Sequence, residues 1–279
     1  MTITIKNEAE IAAMRVAGRL ASEVLDLLTP HVKPGVTTEA IDKIAHDHIV
    51  HEQGAVPAPL NYAPPGYTPY PKSICTSINH QVCHGIPNDR PLKNGDIVNI
   101  DVTVIKDGWH GDTSRMFIVG NGSIAAKRLV QITYDAMWKG IAKVKPGAHL
   151  GDIGNAIQTF VEAQHMSVVR DFSGHGLGRI FHDAPNILHY GKAGTGPVLK
   201  PGMFFTVEPM VNVGTWQVKI LSDGWTAVTR DKQLSAQFEH SVGITETGVE
   251  FFTLSPKGLT KPPFDLNATS TMQAQAVSA

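Results

Sequence analysis

Three observations in the sequence predict an α+β fold with internal pseudo-symmetry. Leu92-Lys93-Asn94-Gly95-Asp96-Ile97-Val98-Asn99-Ile100-Asp101 aligns without a gap on Leu199-Lys200-Pro201-Gly202-Met203-Phe204-Phe205-Thr206-Val207-Glu208, so Asp101 falls on Glu208. A His-Gly pair precedes each copy, at His84-Gly85 and His175-Gly176. Further upstream, Val32-Lys33-Pro34-Gly35 and Val144-Lys145-Pro146-Gly147 each introduce a segment of helical character. Each half therefore reads as two helices followed by strands, and two related halves that point carboxylates at one centre suggest a metal site.

The first helix begins after Asn7, a capping residue followed by acids, and carries Ile11, Met14, Ala17, Leu20, Ala21, Val24 and Leu28 at helical spacing. Pro30 and Pro34-Gly35 end it. A second helix is expected after Thr37 or Thr38, turning Ile41, Ile44, Ala45 and Ile49 inward, and its counterparts run from Ile124 to Val144 and from Leu150 to Ala163. Asn61 to Pro71, with four prolines and three tyrosines, predicts a structured or binding loop. The expected organisation is one domain over 1–254, with halves of about 7–120 and 121–254. Residues 255–279, rich in Ala, Ser, Thr and Gln, are expected to form a mobile tail.

The strand Ile97 to Val104 alternates, setting Asn99, Asp101 and Thr103 on one face and Val98, Ile100, Val102 and Val104 on the other. Asp107-Gly108 predicts a hairpin, and the return strand brings Asp112 to the polar face. A turn centred on Lys106-Asp107 sets Asp101 opposite Asp112; one centred on Asp107-Gly108 sets Thr103 opposite Asp112. In the second half Glu208 shares a face with Thr206, and Ser235, Gln237, Glu239 and Ser241 point together, which pairs Glu239 with Glu208. Gly174-His175-Gly176 adds an imidazole on a backbone stripped of neighbouring side chains, open to close approach by a metal or substrate. Carboxylates held this close repel unless something positive lies between them. An oxygen set with one imidazole suits Mn²⁺, Fe²⁺ or Co²⁺, and shared carboxylates let two ions sit about 3.5–4 Å apart.

At 279 residues and 42% hydrophobic content the chain can bury a large core. A formal charge of -1 and a pI near 6.9 give no electrostatic footprint for nucleic acid, and no apolar run reaches the roughly 20 residues of a membrane span. Two cysteines, Cys75 and Cys83, and an N-terminus without an apolar signal region predict a reducing cytoplasm. His46, His48 and His51 belong to no motif and are read as a solvated face. The glycines of Gly174 to Gly178 do not fit a nucleotide-loop spacing.

Several stretches together resemble type I methionine aminopeptidases, peptidase family M24 with the pita-bread fold. They are Tyr70-Pro71-Lys72-Ser73-Ile74-Cys75, Cys83-His84-Gly85-Ile86-Pro87, Asp112-Thr113-Ser114, Ser173-Gly174-His175-Gly176-Leu177-Gly178, Thr206-Val207-Glu208-Pro209 and Ser235-Ala236-Gln237-Phe238-Glu239-His240. The resemblance covers Asn7 to Leu254 and implies two pseudo-symmetric halves with an antiparallel sheet core and flanking helices. It implies that Asp101 with bridging Asp112 and Glu239 holds one divalent ion, and that Asp112, Glu239, His175 and Glu208 hold another, the metal being Co, Mn, Fe or Zn. The resemblance further implies that a water held by the ions would attack the first peptide carbonyl, that Glu208 would accept a proton, that His182 would stabilise the oxyanion, and that His84 would bond the scissile amide. Tyr67, Tyr70, Cys75, Phe181 and Trp225 correspond to the family's methionine pocket, with His84 and His182 beside it.

The implied reaction is removal of the initiator methionine from nascent peptides whose second residue is small, with transient ribosome association and a monomeric state. Where some relatives carry a cysteine before the first pocket tyrosine this chain has Pro64-Pro65, and His80 stands where they carry an acid. These departures touch the pocket rim and a monovalent-cation site near Asn79 and Ser235. No zinc-binding extension or helical insertion is seen, which points to the bacterial type I form. Two rival readings are a proline-specific peptidase of the same fold and a non-catalytic binding protein of that fold.

Overall fold

A computed structural model of the chain describes residues 2–264. Helix α1 (Glu8–Leu28) starts at a reciprocal cap: the Asn7 side chain accepts from the Glu10 amide, and the Glu10 carboxylate accepts from the Asn7 amide. Such a cap contributes about 1 kcal/mol. Helix α2 (Thr38–Asp47) is capped by Thr37, whose side chain accepts from the Ala40 amide, while the Thr38 hydroxyl turns away to Asn88. Five strands follow: β1 (Val56–Pro57), β2 (Cys75–Ile78), β3 (Gln81–Cys83), β4 (Ile97–Lys106) and β5 (Trp109–Ile118). The second half opens with α3 (Ile124–Ile141), capped by Ser123, and α4 (Leu150–Ala163). Its strands are β6 (Ser167–Val168), β7 (Gly174–Gly176), β8 (Asp183–Ile187), β9 (Phe204–Val207), β10 (Met210–Asn212), β11 (Val218–Ile220), β12 (Ala227–Thr229), β13 (Ser235–Gln237), β14 (Glu239–Ile244) and β15 (Val249–Phe251).

One nine-stranded sheet runs in the order β1-β4-β5-β14-β9-β7-β8, with β2 also against β4 and β15 also against β14. The two halves meet where β5 pairs antiparallel with β14, Glu239 opposite Ser114 and His240 opposite Thr113. The alternation read from the sequence decides which face meets the helices. Val98, Ile100, Val102 and Val104 pack with Leu20, Val24, Leu25 and Ile41 in one core. Leu129, Met137, Ile153 and Ile157 pack with Phe205, Val207 and Val242 in the other. Each such side chain contributes about 1.5–3 kcal/mol by leaving water. The helices thus cover one face, and the polar residues of β4 and β5 are left for the opposite side.

Two expectations need correction. Residues 255–264 are docked: Leu259 and Phe264 are buried, and the Ser255 hydroxyl donates to both carboxylate oxygens of Asp26 at 2.9 and 2.7 Å. Two apolar anchors suffice to hold a short segment, and Phe264 reaches Phe117 and Phe238. The remainder of the expected tail, 265–279, lies outside the described residues. The alternating run Ser235 to Ser241 also breaks at Phe238, so β13 joins β10 and β6 in a separate three-stranded sheet while β14 enters the main one. Asn61 to Pro71 carries no helix or strand, as expected.

Candidate metal centre

Asp107 and Gly108 both take left-handed backbone, at φ +51° and +81°, and Lys106 pairs with Trp109 across them. This is the two-residue hairpin that an Asp-Gly pair favours, because its twist matches the flanking strands. It selects the register in which Thr103 faces Asp112, while Asp101 faces Ser114 and lies diagonal to Asp112 on the same side of the sheet. The Thr103 hydroxyl donates to Oδ1 of Asp112 at 2.6 Å.

The second half brings the other ligand types to the same place. Glu239 opens β14 directly beside β5, and Glu208 follows the last residue of β9. Thr206 donates to Oε1 of Glu208 at 2.6 Å and Gln237 to Oε2 at 3.1 Å, while the Glu208 amide donates to Nε2 of His189 at 3.1 Å. His175 sits on β7, with Nε2 at 3.5 Å from Oδ2 of Asp112 and 3.6 Å from Oε1 of Glu208. The glycines around His175 are required by strand packing. A Cβ on Gly174 would lie 2.4 Å from the Thr206 carbonyl oxygen, and one on Gly176 would lie 2.0 Å from that of Ala184.

Donor atoms of Asp112, His175 and Glu239 lie within 4.8 Å of one another. With Asp101 and Glu208 they line a cavity of about 260 Å³. Among the described residues no lysine or arginine lines it. Burial holds Asp101 well above the ordinary carboxylate range, and the charges of Asp112 and Glu208 push the same way. Glu239 is raised for the same reasons, burial first. Burial also lifts Glu208 to about 7, against the opposing pull of His175 and the Thr206 hydrogen bond. His175 is raised: burial disfavours its cation, but the bond to Asp112 and the charge of Glu208 outweigh that. These four carboxylates around His175, with no lysine or arginine among the described lining residues, are the donor set of a cation site. Oxygen ligands with one imidazole fit divalent manganese, iron or cobalt.

Both remaining histidines reach the cavity. His84 adopts left-handed backbone at φ +55°, and burial lowers its pKa to about 4. The His182 ring lies 4.3 Å from that of His175, and burial together with that neighbour lowers its pKa. Tyr70, Cys75, Phe181 and Trp225 line the cavity; Tyr67 does not. Tyr67 is 51% exposed and packs against Trp225, the ring centres 4.9 Å apart and the planes tilted by 47°. Tyr62 takes the inner position instead, its hydroxyl 2.7 Å from Nδ1 of His182. The sequence reading also missed Phe172 and Met210, adjacent to the Ser173-Gly174-His175 and Glu208-Pro209 runs that could have flagged them. Cys75 and Cys83 are both free and line the cavity, and burial pushes their thiols well up, so they act as neutral walls.

Away from the cavity, the Asn79 carbonyl accepts from the Ser235 amide at 2.8 Å, and the Ser235 hydroxyl is buried without a partner. His80 is exposed. His46 bonds Ser73, and neither it nor His48 or His51 belongs to a metal-type cluster among the described residues.

A family model described as metallopeptidase family M24 matches residues 12–246. The methionine aminopeptidase of Rickettsia prowazekii (strain Madrid E) is 62% identical over 266 residues, 95% of this chain and 100% of the relative. That of Escherichia coli (strain K12) is 56% identical over 255 residues, 91% of this chain and 95% of the relative. The crystal structure of the Rickettsia prowazekii methionine aminopeptidase superposes with a TM-score of 0.88 at 61% identity, covering 91% of this chain and 100% of that one. Prolidase from Pyrococcus furiosus, at 19% identity and a TM-score of 0.69, covers 90% of this chain and 65% of its own, and shares the fold alone. The matched span carries the carboxylates and the imidazole of the cavity, and the chain belongs to metallopeptidase family M24.

Proposed function

We propose that the chain is a methionine aminopeptidase that removes the N-terminal methionine of polypeptides by metal-dependent hydrolysis. The observation that carries this reading is the buried group of Asp112, His175 and Glu239 in a cavity with Asp101 and Glu208. Near-full-length identity of 62% to a methionine aminopeptidase supports the same activity. Asp101, Asp112, His175, Glu208 and Glu239 are the residues that would hold two divalent ions. Bound divalent metal supplies positive charge that polarises a carbonyl and eases deprotonation of water.

The side chains around that centre divide the remaining work. Glu208, a buried carboxylate of that centre, would be the group that accepts a proton. His84, lowered to about 4, is a neutral imidazole that can donate to the scissile amide, and His182 can donate to the carbonyl oxygen as charge develops there. Tyr62, Tyr70, Phe181, Trp225 and the neutral thiol of Cys75 offer an apolar wall to a thioether, which gains from contact with ring edges. A small second residue, nascent chains as substrate, ribosome association, a monomeric state and a cytoplasmic location complete the proposal. Among the described residues no helix is long and apolar enough to cross a membrane. A monovalent cation near the Asn79 carbonyl and the Ser235 hydroxyl belongs to the same reading.

Hydrolysis of Met-Ala-Ser, Met-Leu-Ser and Ala-Pro-Ala by metal-stripped protein, with Mn²⁺, Co²⁺ or Fe²⁺ added back, tests it. Metal-dependent release of methionine from Met-Ala-Ser alone is expected. Cleavage of Ala-Pro-Ala would move the assignment to a proline peptidase, and no cleavage with any metal would leave a binding protein.

A further inference from the structure

β9 ends at Val207, so Glu208 stands one residue past its ladder, with Pro209 next in the chain. The peptide of this carboxylate residue is thus placed where strand pairing stops and the following residue has no amide of its own. Thr206 and Gln237 hold the two carboxylate oxygens, but neither holds the backbone from which the side chain springs. That backbone is held by an imidazole, since the Glu208 amide donates to Nε2 of His189.

His189 is fully buried and lies behind the cavity, off its lining. Because Nε2 accepts, the proton of the neutral ring sits on Nδ1, and Nδ1 is buried without a hydrogen-bond partner. An orphaned donor in a core costs free energy, and a leucine would fill a buried position without one. The ring is therefore accounted for by its other nitrogen, the acceptor for the Glu208 amide.

Helix α4 fixes the segment that carries this ring. A Cβ on Gly154 would lie 2.5 Å from the carbonyl oxygens of both Leu188 and Tyr190, so the helix packs directly on the backbone that flanks His189. At Gly191 the Gln158 side chain accepts from the amide at 2.9 Å, and the Asn155 side chain donates to the carbonyl at 3.0 Å. β7 lies between β8 and β9 and begins at Gly174, opposite Ile187 at the end of β8. His189 stands two residues beyond that end, where it can reach past β7 to the end of β9.

We propose that His189 is a positioning residue for Glu208: α4 fixes the 188–191 segment, and the imidazole fixes the Glu208 peptide and with it the direction of the carboxylate into the metal centre. In this role the ring touches neither substrate nor metal. Its bond to the main chain complements the Thr206 and Gln237 bonds to the carboxylate, so the ligand is held at both ends. The inference rests on the metal centre of the reading above.

The test is calorimetric titration of the metal-stripped full chain with Mn²⁺ in wild type, His189→Leu and His189→Gln, beside ¹⁵N NMR of the histidine rings. In His189→Leu the ion that Glu208 helps to hold should bind about 10- to 100-fold more weakly, and the other ion as in wild type. His189→Gln, whose Oε1 can accept the same amide, should recover most of that affinity. The spectrum should show His189, identified by the signals lost in His189→Gln, with its proton on Nδ1 and Nε2 bare. Wild-type affinity for both ions in His189→Leu would overturn the proposal. Equal weakening of both ions, uncorrected by His189→Gln, would mark packing damage and overturn it as well. A protonated Nε2 in the wild type would overturn it even if His189→Leu failed to fold. Absence of Mn²⁺ binding by the wild type would instead defeat the metal-centre reading, so the two failures are distinct.

Discussion

Thr103 and Asp112 face each other across the β4–β5 hairpin, and the threonine hydroxyl donates to one carboxylate oxygen at 2.6 Å while the other oxygen lies 3.5 Å from Nε2 of His175. One strand thus sets the direction of a carboxylate on the next.

Removing that bond should loosen the metal centre without removing a ligand. Thr103→Val is expected to weaken divalent-metal affinity by roughly 10- to 100-fold, the usual scale for a residue that orients a ligand. Thr103→Ser should stay near wild type. Calorimetric titration with Mn²⁺ checks both, and an unchanged isotherm in Thr103→Val would contradict the role.

Metal-stripped protein should lose stability as pH rises through the neutral range. Glu208 titrates at about 7 in the folded chain against an ordinary 4.5, and Asp101 and Glu239 are displaced in the same direction. Between those values the folded state keeps a proton that the unfolded chain has released. This contribution is full below the unfolded pKa and is lost as pH rises through the folded one. Saturating Mn²⁺ should therefore raise Tm more at pH 8 than at pH 5, where protons compete for the same oxygens. Scanning fluorimetry at the two pH values checks it; an equal increment at both would not agree.

The ion pair of Arg115 and Asp26 is buried, and Asp26 also receives the Ser255 hydroxyl and the Lys257 amide. Asp26→Ala leaves a guanidinium uncompensated beside the docked segment 255–264. The expected loss is about 3–5 kcal/mol in urea unfolding, and adding Arg115→Met should recover part of it. A loss under 1 kcal/mol would show that the pair is dispensable.

Gly111 stands beside Asp112 where α1 crosses β5, and a Cβ there would lie 2.1 Å from the Ala17 carbonyl oxygen. Gly111→Ala should destabilise by about 3 kcal/mol, because two backbones must separate. Urea unfolding measures it directly.

What the sequence showed and what it hid divide along physical lines. The helices were legible because their signals are local: Asn7 with Glu10, or Thr37 alone, marks a start within one turn. The face of Asp101 and Asp112 was legible from alternation, but their register was not, since it hinged on which two residues made the turn. Tyr62 and Tyr67 could not be sorted, because a proline-rich loop has no period to say which ring faces inward. The docking of Leu259 and Phe264 was hidden by averaging two anchors into a polar end. The packing demand at Gly174 and Gly176 was hidden, since a close approach by a neighbouring strand leaves the same trace in sequence as one by a ligand.

This carboxylate and imidazole cluster is proposed to hold the metal on which methionine release depends. Titrating metal-stripped protein with Mn²⁺ while following methionine release from Met-Ala-Ser in the same samples, in wild type and Asp112→Ala, tests it most directly. Two ions should bind per wild-type chain, activity should rise with occupancy, and Asp112→Ala should lose both. Full activity in the stripped protein, or wild-type metal binding and release by Asp112→Ala, would contradict it.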